Sequence, residues 1–196
     1  MNSAFSISSP DIIRQRIRKK RHEVRIEWIQ QTSKVIEGKV MELNEWRNAN
    51  WVFCYFATVY EVQTSLLIKN CLAAGKQLCV PAFHRIEGVY KLARLSVNDS
   101  IRPGYGNIAE PVEPIWLKSV QIDLAIIPGI AFDRTGSRIG HGSGHFDRLL
   151  AQEELVNSFK VGLAFEWQLV KKIVLQPHDI RLNAVVTEKR VYSGNK

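Results

Sequence analysis

The sequence predicts an α/β protein: one three-layer domain spanning residues 1–196, with a mainly parallel sheet flanked by helices. Short apolar runs typical of buried strands alternate with stretches of helical periodicity, which is the order found in α/β proteins. The clearest case is an apolar run at 51–56, followed by a helical pattern and a second apolar run at 76–81. This is a βαβ unit, which implies parallel strands. A chain of 196 residues with 45% apolar content is long enough for one well-buried core.

Composition narrows the class of protein. No apolar run approaches the roughly 20 residues that a membrane-spanning helix needs, and the first residues lack the basic start and apolar core of a secretory signal. The three cysteines have no metal-ligand spacing, so we interpret them as small buried side chains in a reducing compartment and not as disulfide or zinc ligands. We therefore expect a cytoplasmic protein. We also expect a monomer, with residues 1–10 as a flexible N-terminal lead.

The first helix carries much of the positive charge. Ser9 as N-cap, Pro10 at the first helical position and Asp11 in the first turn predict its start. Of the basic residues behind the net charge of +8, seven lie between positions 11 and 25, against two acids. Three interpretations are open: a solvated face, a cationic wall for a polyphosphate, and a nucleic-acid contact, which is the weakest because no exposed aromatic residues are interleaved. Apolar residues recur at helical spacing: Ile13, Ile17, Val24, Trp28 and Val35.

The later elements are predicted from apolar runs and turn residues. The helix after the first strand ends at Gly75, because glycine commonly follows the last helical residue. Residues 83–95 alternate weakly and predict a hairpin. Residues 97–113 are rich in Pro, Gly and Asn and predict a long loop of the functional or mobile kind. The remaining predictions are strands at 122–128 and 160–164, a short helix at 166–173, and the last strand at 183–187.

The stretch at 128–150, PGIAFDRTGSRIGHGSGHFDRLL, is the strongest functional signal. It follows an apolar strand and contains five of the twelve glycines. A strand, a glycine-rich loop and a helix start together form an anion site, because glycine lets the backbone approach a phosphate and the helix start offers unpaired N–H groups. Arg138 and His141 add side-chain donors. The spacing matches neither the dinucleotide G-x-G-x-x-G pattern nor the Walker pattern ending in G-K-[ST].

The same stretch resembles the signature of the 5-formyltetrahydrofolate cyclo-ligase family, also called methenyltetrahydrofolate synthetase. That signature is P-G-x-A-F-D-x-x-G-x-R-L-G-x-G-x-G-Y-Y-D, and this chain has PGIAFDRTGSRIGHGSGHFD at 128–147. Further segments resemble the family in the same order: EVQT at 61–64, YGNIAEP at 105–111, and a tail that runs from 161 through 178–179 to 187–188. The resemblance covers nearly the whole chain.

The resemblance implies an enzyme that uses ATP and magnesium to convert 5-formyltetrahydrofolate into 5,10-methenyltetrahydrofolate, releasing ADP and phosphate. In that reaction the formyl oxygen is phosphorylated, N10 attacks the activated carbon, and phosphate leaves as the ring closes. Such chemistry needs a phosphate cradle, a metal ion and in-line positioning more than it needs a protein nucleophile.

The resemblance also implies which residues form the site. Asp147 and Asp179 match the magnesium-binding aspartates of the family. Without the resemblance, the sequence favours a first-turn helix acid at Asp147 and a surface acid at Asp179. Phe56, Glu61 and Tyr105 match or lie near folate-binding positions, although Glu61 alone reads as a helix-start acid and Tyr105 has packing as an equal alternative. His145 and Arg138 are the candidate catalytic residues. The ATP-binding positions are Arg14, Arg138, Gly140, His141, Gly142, Ser143, Gly144, His145 and Phe146.

Three departures from the family pattern raise a second hypothesis. A family lysine is replaced by Pro10, a lysine of many members by Ser143, and the Tyr-Tyr pair by His145 and Phe146. Phe146 keeps a ring without its hydroxyl, and His145 replaces a phenol with an imidazole that changes charge near neutral pH. The alternative is therefore a paralogue that binds folate or nucleotide with weakened catalysis.

Overall fold

The computed structural model describes residues 9–176 and 179–194, so most of the predicted N-terminal lead lies outside the described residues. The helices are α1 (Pro10–Arg21), α2 (Ile26–Met41), α3 (Asn44–Asn48), α4 (Ser65–Ala73), α5 (His145–Leu150) and α6 (Glu153–Val156). The strands are β1 (Trp51–Phe53), β2 (Gln77–His84), β3 (Val89–Leu95), β4 (Ile101–Pro103), β5 (Ala109–Pro111), β6 (Ile115–Trp116), β7 (Leu124–Ile127), β8 (Ala131–Asp133), β9 (Arg138–Ile139), β10 (Phe159–Leu163), β11 (Leu169–Val170), β12 (Ala184–Val186) and β13 (Val191–Ser193).

An eight-stranded sheet in the order β13-β12-β10-β7-β1-β2-β3-β6 forms the centre of the molecule. Strands β12, β10, β7, β1 and β2 are parallel, and antiparallel strands extend the sheet at both edges. In β7, Leu124 and Ile126 join the core cluster that contains residues of α2 and α4, whereas Ala125 and Ile127 join the cluster of α5 and α6. Since alternate residues of a strand face opposite sides, helices cover both faces. The predicted fold class is confirmed.

The βαβ unit has the predicted form. Strands β1 and β2 pair in parallel, with Trp51 opposite Gln77 and Phe53 opposite Cys79, and α4 connects them. Gly75 follows the end of α4 with φ +73°, the left-handed conformation that glycine adopts without strain. Strand β2 then continues into an antiparallel hairpin with β3, which confirms the predicted hairpin.

The predicted apolar stripe of the first helix divides between two helices. Helix α1 ends at Arg21 and α2 begins at Ile26, so the phase of the periodicity is reset between them. Ile13 and Ile17 are buried as predicted, against the small sheet β11-β8-β9. Trp28 and Val35 are exposed, contrary to the prediction for one continuous stripe. The buried apolar positions of α2 are Ile29, Ile36 and Val40.

Three other segments differ from the prediction. The loop at 97–113 contains the two-stranded sheet of β4 and β5. Of the short helix predicted at 166–173, only one 3-10 turn forms, at Glu166–Gln168. Gln168 donates to the carbonyls of Gly129 and Ile130, and the chain then pairs as β11 with β8. The predicted last strand, at 183–187, corresponds to β12 and is not the last: β13 follows it and pairs with it antiparallel. In each case a tertiary hydrogen bond or strand pairing outweighs the local pattern.

The cysteines are buried thiols, as predicted, and burial raises the pKa of each: Cys54, Cys71 and Cys79. Within the described ranges, no helix combines the length and the apolar character needed to span a bilayer.

Candidate active site

A cleft of about 400 Å³ opens at the carboxyl end of the parallel strands, and its walls come from distant parts of the chain. Tyr55 and Phe56 follow β1, and Pro128 follows β7, so they stand where ligands bind in open α/β sheets. Every site residue predicted from the sequence lines this one cleft: Arg14, Phe56, Glu61, Tyr105, Arg138, Gly140, His141, Gly142, Ser143, Gly144, His145, Phe146, Asp147 and Asp179.

The glycine-rich loop is built differently from a simple strand–loop–helix unit. Between β7 and the loop, the chain first forms the antiparallel hairpin β8–β9. The loop then spans residues 140–144 and leads into α5, a helix of six residues. Gly142 at φ +103° and Gly144 at φ +66° adopt conformations that disfavour other residues. Arg14 from α1 holds the loop, because its Nε donates to the carbonyl of Gly140 at 2.9 Å.

Arg138 is a buried cation beside the loop. Its Nη2 donates to Asp147 Oδ1 at 2.5 Å and its Nη1 donates to the Pro128 carbonyl at 3.4 Å. The guanidinium also lies 5.9 Å from the centre of the Phe146 ring. Its Nε is buried and finds no hydrogen-bond partner among the described residues. A buried cation with an unsatisfied N–H is costly to keep, and an anion bound in the cleft would stabilise it.

Asp147 and Asp179 both line the cleft and already have protein partners. Asp147 pairs with Arg138 through Oδ1. The Asp179 carboxylate accepts from the Gln176 backbone N–H at 2.7 Å, so it holds the segment that contributes Ile173 and Val174 to the cleft wall. The neighbouring His178, part of the tail that resembles the family, lies outside the described residues.

Glu61 is a buried carboxylate that faces the loop from the opposite wall. Its Oε2 accepts from the Thr58 backbone N–H at 2.8 Å and from the Thr58 hydroxyl at 2.9 Å, while its Oε1 lies 3.7 Å from Nε2 of His141. Burial opposes ionisation of Glu61, but the interaction with His141 and the hydrogen bonds from Thr58 outweigh it and hold its pKa below its ordinary value. Glu61 is therefore an ionised acceptor.

Glu61 is not the acid at the start of helix α4. A different residue, Glu37, accepts the hydrogen bonds there. Helix α4 begins at Ser65, and its first N–H groups, those of Leu66 and Leu67, donate to Glu37 Oε1 at 2.8 and 3.1 Å. Glu37 belongs to α2, so this cap comes from another helix. Sequence reasoning missed it, because nothing local to α4 indicates it.

Aromatic rings form the wall beside Glu61. Tyr105 stacks on Phe83 with ring centres 4.1 Å apart at 11°, and its carbonyl accepts from the Tyr90 hydroxyl at 2.9 Å. The Tyr105 ring is still 52% exposed and borders the cleft. One face of Tyr105 thus packs on the protein, and the side chain remains accessible to a ligand.

His145 begins α5 and is held by Arg148. Nη2 of Arg148 lies 3.0 Å from Nδ1 of His145, and the imidazole packs edge-on to Tyr90 at 5.4 Å and to Tyr105 at 6.1 Å. Burial and then the nearby Arg148 charge lower the pKa of His145, which favours the neutral ring. Phe146 packs with Phe53, 6.4 Å between ring centres. The two residues that replace the family tyrosines thus take different environments.

Asp133 is a residue of the signature to which sequence reasoning assigned no role. Its Oδ1 accepts from the Thr135 N–H, the Thr135 hydroxyl and the Ser137 N–H at 2.9, 2.8 and 3.0 Å, and its Oδ2 accepts from the Ile173 N–H at 2.9 Å. Burial opposes its ionisation, yet these hydrogen bonds lower its pKa. Asp133 joins the β8–β9 turn to the segment that carries Asp179. An acid followed by Thr, Gly and Ser was the available signal.

The basic helix divides into residues with different surroundings. Arg14 reaches the glycine loop, and Asp11 neutralises part of its charge at 2.6 Å. Arg21 is buried, and its Nε and Nη2 find no hydrogen-bond partner among the described residues. The exposed members are Arg16, Arg18, Lys19, Lys20 and Arg25. Arg14 therefore contributes to the cationic wall of the cleft, together with Arg138, and the exposed cations are a separate feature.

Comparison with known proteins agrees with this geometry. The model of the 5-formyltetrahydrofolate cyclo-ligase family matches residues 7–188. The mouse (Mus musculus) 5-formyltetrahydrofolate cyclo-ligase is 26% identical over 190 residues, covering 90% of this chain and 90% of the mouse protein. A probable 5-formyltetrahydrofolate cyclo-ligase of Schizosaccharomyces pombe is 31% identical over 170 residues, covering 78% of this chain and 82% of that protein.

A solved structure agrees as well. The NMR structure of Aquifex aeolicus 5,10-methenyltetrahydrofolate synthetase superposes with a TM-score of 0.79 and is 28% identical, covering 95% of this chain and 93% of that one. The matches in sequence and in fold thus both extend over most of the chain. The chain therefore belongs to the 5-formyltetrahydrofolate cyclo-ligase family.

Proposed function

We propose that this protein catalyses the ATP- and magnesium-dependent cyclisation of 5-formyltetrahydrofolate to 5,10-methenyltetrahydrofolate, with release of ADP and phosphate. One observation carries the proposal beyond family membership. A single cleft places a cationic glycine-rich loop opposite a wall that combines an ionised carboxylate with aromatic rings. The first surface suits a polyphosphate and the second suits a planar ring that bears N–H donors.

The polyphosphate end is formed by backbone and two arginines. Three of the five loop residues at 140–144 are glycines, which let the backbone approach a phosphate closely. Arg14 supports the loop, and Arg138 supplies a buried positive charge. In the proposed reaction, the formyl oxygen takes the γ-phosphoryl group of ATP, and the bond between that group and ADP breaks. N10 then attacks the activated carbon and gives up its proton to solvent, and the bond between that carbon and the phosphorylated oxygen breaks as phosphate leaves and the ring closes. Arg138 stabilises the charge that develops on the transferred phosphoryl oxygens.

The metal ligands fit magnesium that arrives with the nucleotide. Among the residues that the structure describes, no group of three or more His, Cys, Asp or Glu side chains forms a complete metal site. Asp147 and Asp179 offer carboxylate oxygens to the same cleft. One or two carboxylates completed by substrate phosphates and water are the usual magnesium ligands in proteins. Asp147 and Asp179 would hold the ion, and it would neutralise phosphate charge.

The folate end is formed by Glu61 and the rings. Oε1 of Glu61 has no protein donor within hydrogen-bond distance among the described residues, whereas Oε2 is fully engaged by Thr58. Oε1 therefore remains to accept from pterin N–H groups. Phe56 and Tyr105 line the same wall and offer apolar ring surface. His145 adds a ring N–H as a hydrogen-bond donor to an anionic oxygen.

The test is a spectrophotometric assay of methenyl-folate formation from 5-formyltetrahydrofolate. We expect an absorbance rise that requires both ATP and magnesium and that is lost on Arg138→Met, a buried residue of the cleft. Arg181→Gln is the control, because Arg181 donates to the Thr135 carbonyl outside the cleft. Folded protein without turnover contradicts the proposal. Calorimetry that then detects binding of folate or nucleotide without ADP release supports the paralogue hypothesis.

We also propose that the chain acts as a monomeric, single-domain enzyme of the cytosol. The buried thiols support a reducing compartment, and the continuous eight-stranded sheet supports one domain. Light scattering of the purified protein measures the mass; a dimer mass contradicts the monomer. Salt-sensitive binding of RNA or DNA, lost when the exposed cations of α1 are neutralised, would favour the nucleic-acid interpretation of that helix.

A further inference from the structure

Arg148 lies outside the cleft and yet folds back over the glycine-rich loop. It is an exposed residue of α5, and it does not line the cleft. Its Nη2 donates to the Ser143 carbonyl at 3.0 Å and lies 3.0 Å from Nδ1 of His145. One nitrogen thus joins the end of the loop to the first side chain of the helix. Neither the family pattern nor the proposed function assigns Arg148 a role.

The loop conformation leaves room for this contact at Gly144. With φ +66°, Gly144 occupies a backbone region that L side chains rarely adopt. A Cβ at this position would lie 3.2 Å from Nη1 of Arg148, tighter than an ordinary contact. Glycine therefore serves two needs here, the turn into α5 and the space for the guanidinium.

The contact determines how His145 presents its ring. A guanidinium has five N–H donors and no acceptor, so Nδ1 of His145 accepts the hydrogen bond and carries no proton. The ring N–H is therefore at Nε2, on the edge away from Arg148. Tyr90 and Tyr105 pack edge-on against the imidazole and restrict its rotation. His145 lines the cleft, so Nε2–H is the donor that its ring can offer to a bound molecule.

We propose that Arg148 is a positioning residue, which orients His145 so that its Nε2–H donates to an anionic oxygen of the bound substrates. That oxygen belongs to the γ-phosphate of ATP or to the formyl group as it is phosphorylated. This part of the inference rests on the proposed function. The tautomer and orientation of His145 rest on the hydrogen bonds of the protein alone. The family pattern has a tyrosine at this position, whereas this chain has an imidazole whose donor nitrogen is selected by an arginine.

The first experiment requires no substrate. Nitrogen-15 NMR of histidine-labelled protein distinguishes a bare acceptor Nδ1 from a protonated one, and the His145→Ala variant assigns the His145 signals. We expect an unprotonated, hydrogen-bonded Nδ1 and a protonated Nε2 in the wild type. We expect the Nδ1 signal to shift in Arg148→Met and to stay unchanged in Arg181→Gln, which also removes one arginine-to-carbonyl hydrogen bond. A protonated Nδ1 in the wild type, or no shift in Arg148→Met, overturns the inference even if the enzyme is active.

The second experiment is a double-mutant cycle on turnover. Arg148→Met is expected to lower kcat by about 10-fold to 10²-fold, with a smaller change in KM, because an oriented donor acts mainly in the transition state. The same change in the His145→Ala background is expected to have little further effect. Arg148→Lys keeps a donor and is expected to recover part of the loss. Equal losses in both backgrounds overturn the role through His145. Absence of turnover in the wild type contradicts the proposed function and the catalytic part of this inference, and it leaves the NMR result unaffected.

Discussion

Replacing Asp133 with Ala leaves two buried backbone donors, the N–H groups of Ser137 and Ile173, without an acceptor. A buried donor without a partner costs about 1–3 kcal/mol, so a middle value for each gives a loss of about 4 kcal/mol. Such a loss is a large part of the stability of an ordinary domain. At about 2–4 °C per kcal/mol for a chain of this size, the melting temperature falls by about 8–16 °C.

Asp133→Asn distinguishes the hydrogen bonds at Oδ1, in the β8–β9 turn, from the one at Oδ2, to Ile173. The amide oxygen can still accept the three hydrogen bonds that converge on Oδ1, but the amide NH₂ then faces the N–H of Ile173. We expect about half of the alanine loss. We also expect a raised KM for ATP, since the released segment contributes Ile173 and Asp179 to the cleft.

Urea unfolding followed by tryptophan fluorescence measures these losses. Asp99→Ala is the matched control, because Asp99 also accepts a backbone N–H through one carboxylate oxygen, that of Ser96 at 2.8 Å, in a turn away from the cleft. Its single donor is only partly buried, so we expect a loss of about 1 kcal/mol or less. A loss below about 1 kcal/mol for Asp133→Ala, or an equal loss for Asp99→Ala, would refute the reasoning.

Three further predictions concern the cleft itself. His145→Tyr restores the family phenol and is expected to preserve or raise kcat, while His145→Ala lowers it by up to about 10²-fold; loss of activity in the tyrosine variant alone contradicts this account. Glu61→Gln is expected to destabilise the protein near pH 7. The difference in unfolding free energy from the wild type should shrink as pH falls below the ordinary carboxyl value of 4.5. The reason is that the pKa of Glu61 in the folded protein lies below that value, so its stabilisation is lost when the carboxylate is protonated. Urea unfolding from about pH 7 to about pH 3 measures this, and a constant difference contradicts it. Asp147→Asn removes a hard anionic ligand and is expected to raise the magnesium concentration for half-maximal turnover by about 10-fold or more; an unchanged magnesium titration falsifies the assignment.

The sequence was sufficient to predict the central architecture because its signals there are local. Local sequence alone correctly predicts β1 and β2, the helix between them and the glycine that ends that helix at position 75. The same holds for the start of α1, where the Ser9 side chain accepts from the N–H of Ile12 at 3.4 Å. The candidate site residues could be placed in one cleft only through a family resemblance, since no spacing relates Arg14 to Asp179.

The remaining features depend on contacts between distant residues. Gln168 turns a helical pattern into a strand by bonding carbonyls almost forty positions away. Glu37 caps a helix that begins at Ser65, and Asp133 holds Ile173. Each of these is an ordinary polar residue in the sequence, and its role appears only when the fold supplies the partner. The contact of Arg148 with His145 is local, at i and i+3. Its effect on the orientation of the imidazole also depends on Tyr90, a distant residue that packs against the ring.

The most direct test of the central claim is the absorbance of methenyl-folate formed from 5-formyltetrahydrofolate by the wild-type protein, measured together with ADP release. The account predicts a rise that begins only when ATP and magnesium are both present, with one ADP released for each methenyl-folate formed. Folded protein that gives no methenyl-folate, or gives it equally without ATP, would contradict the account.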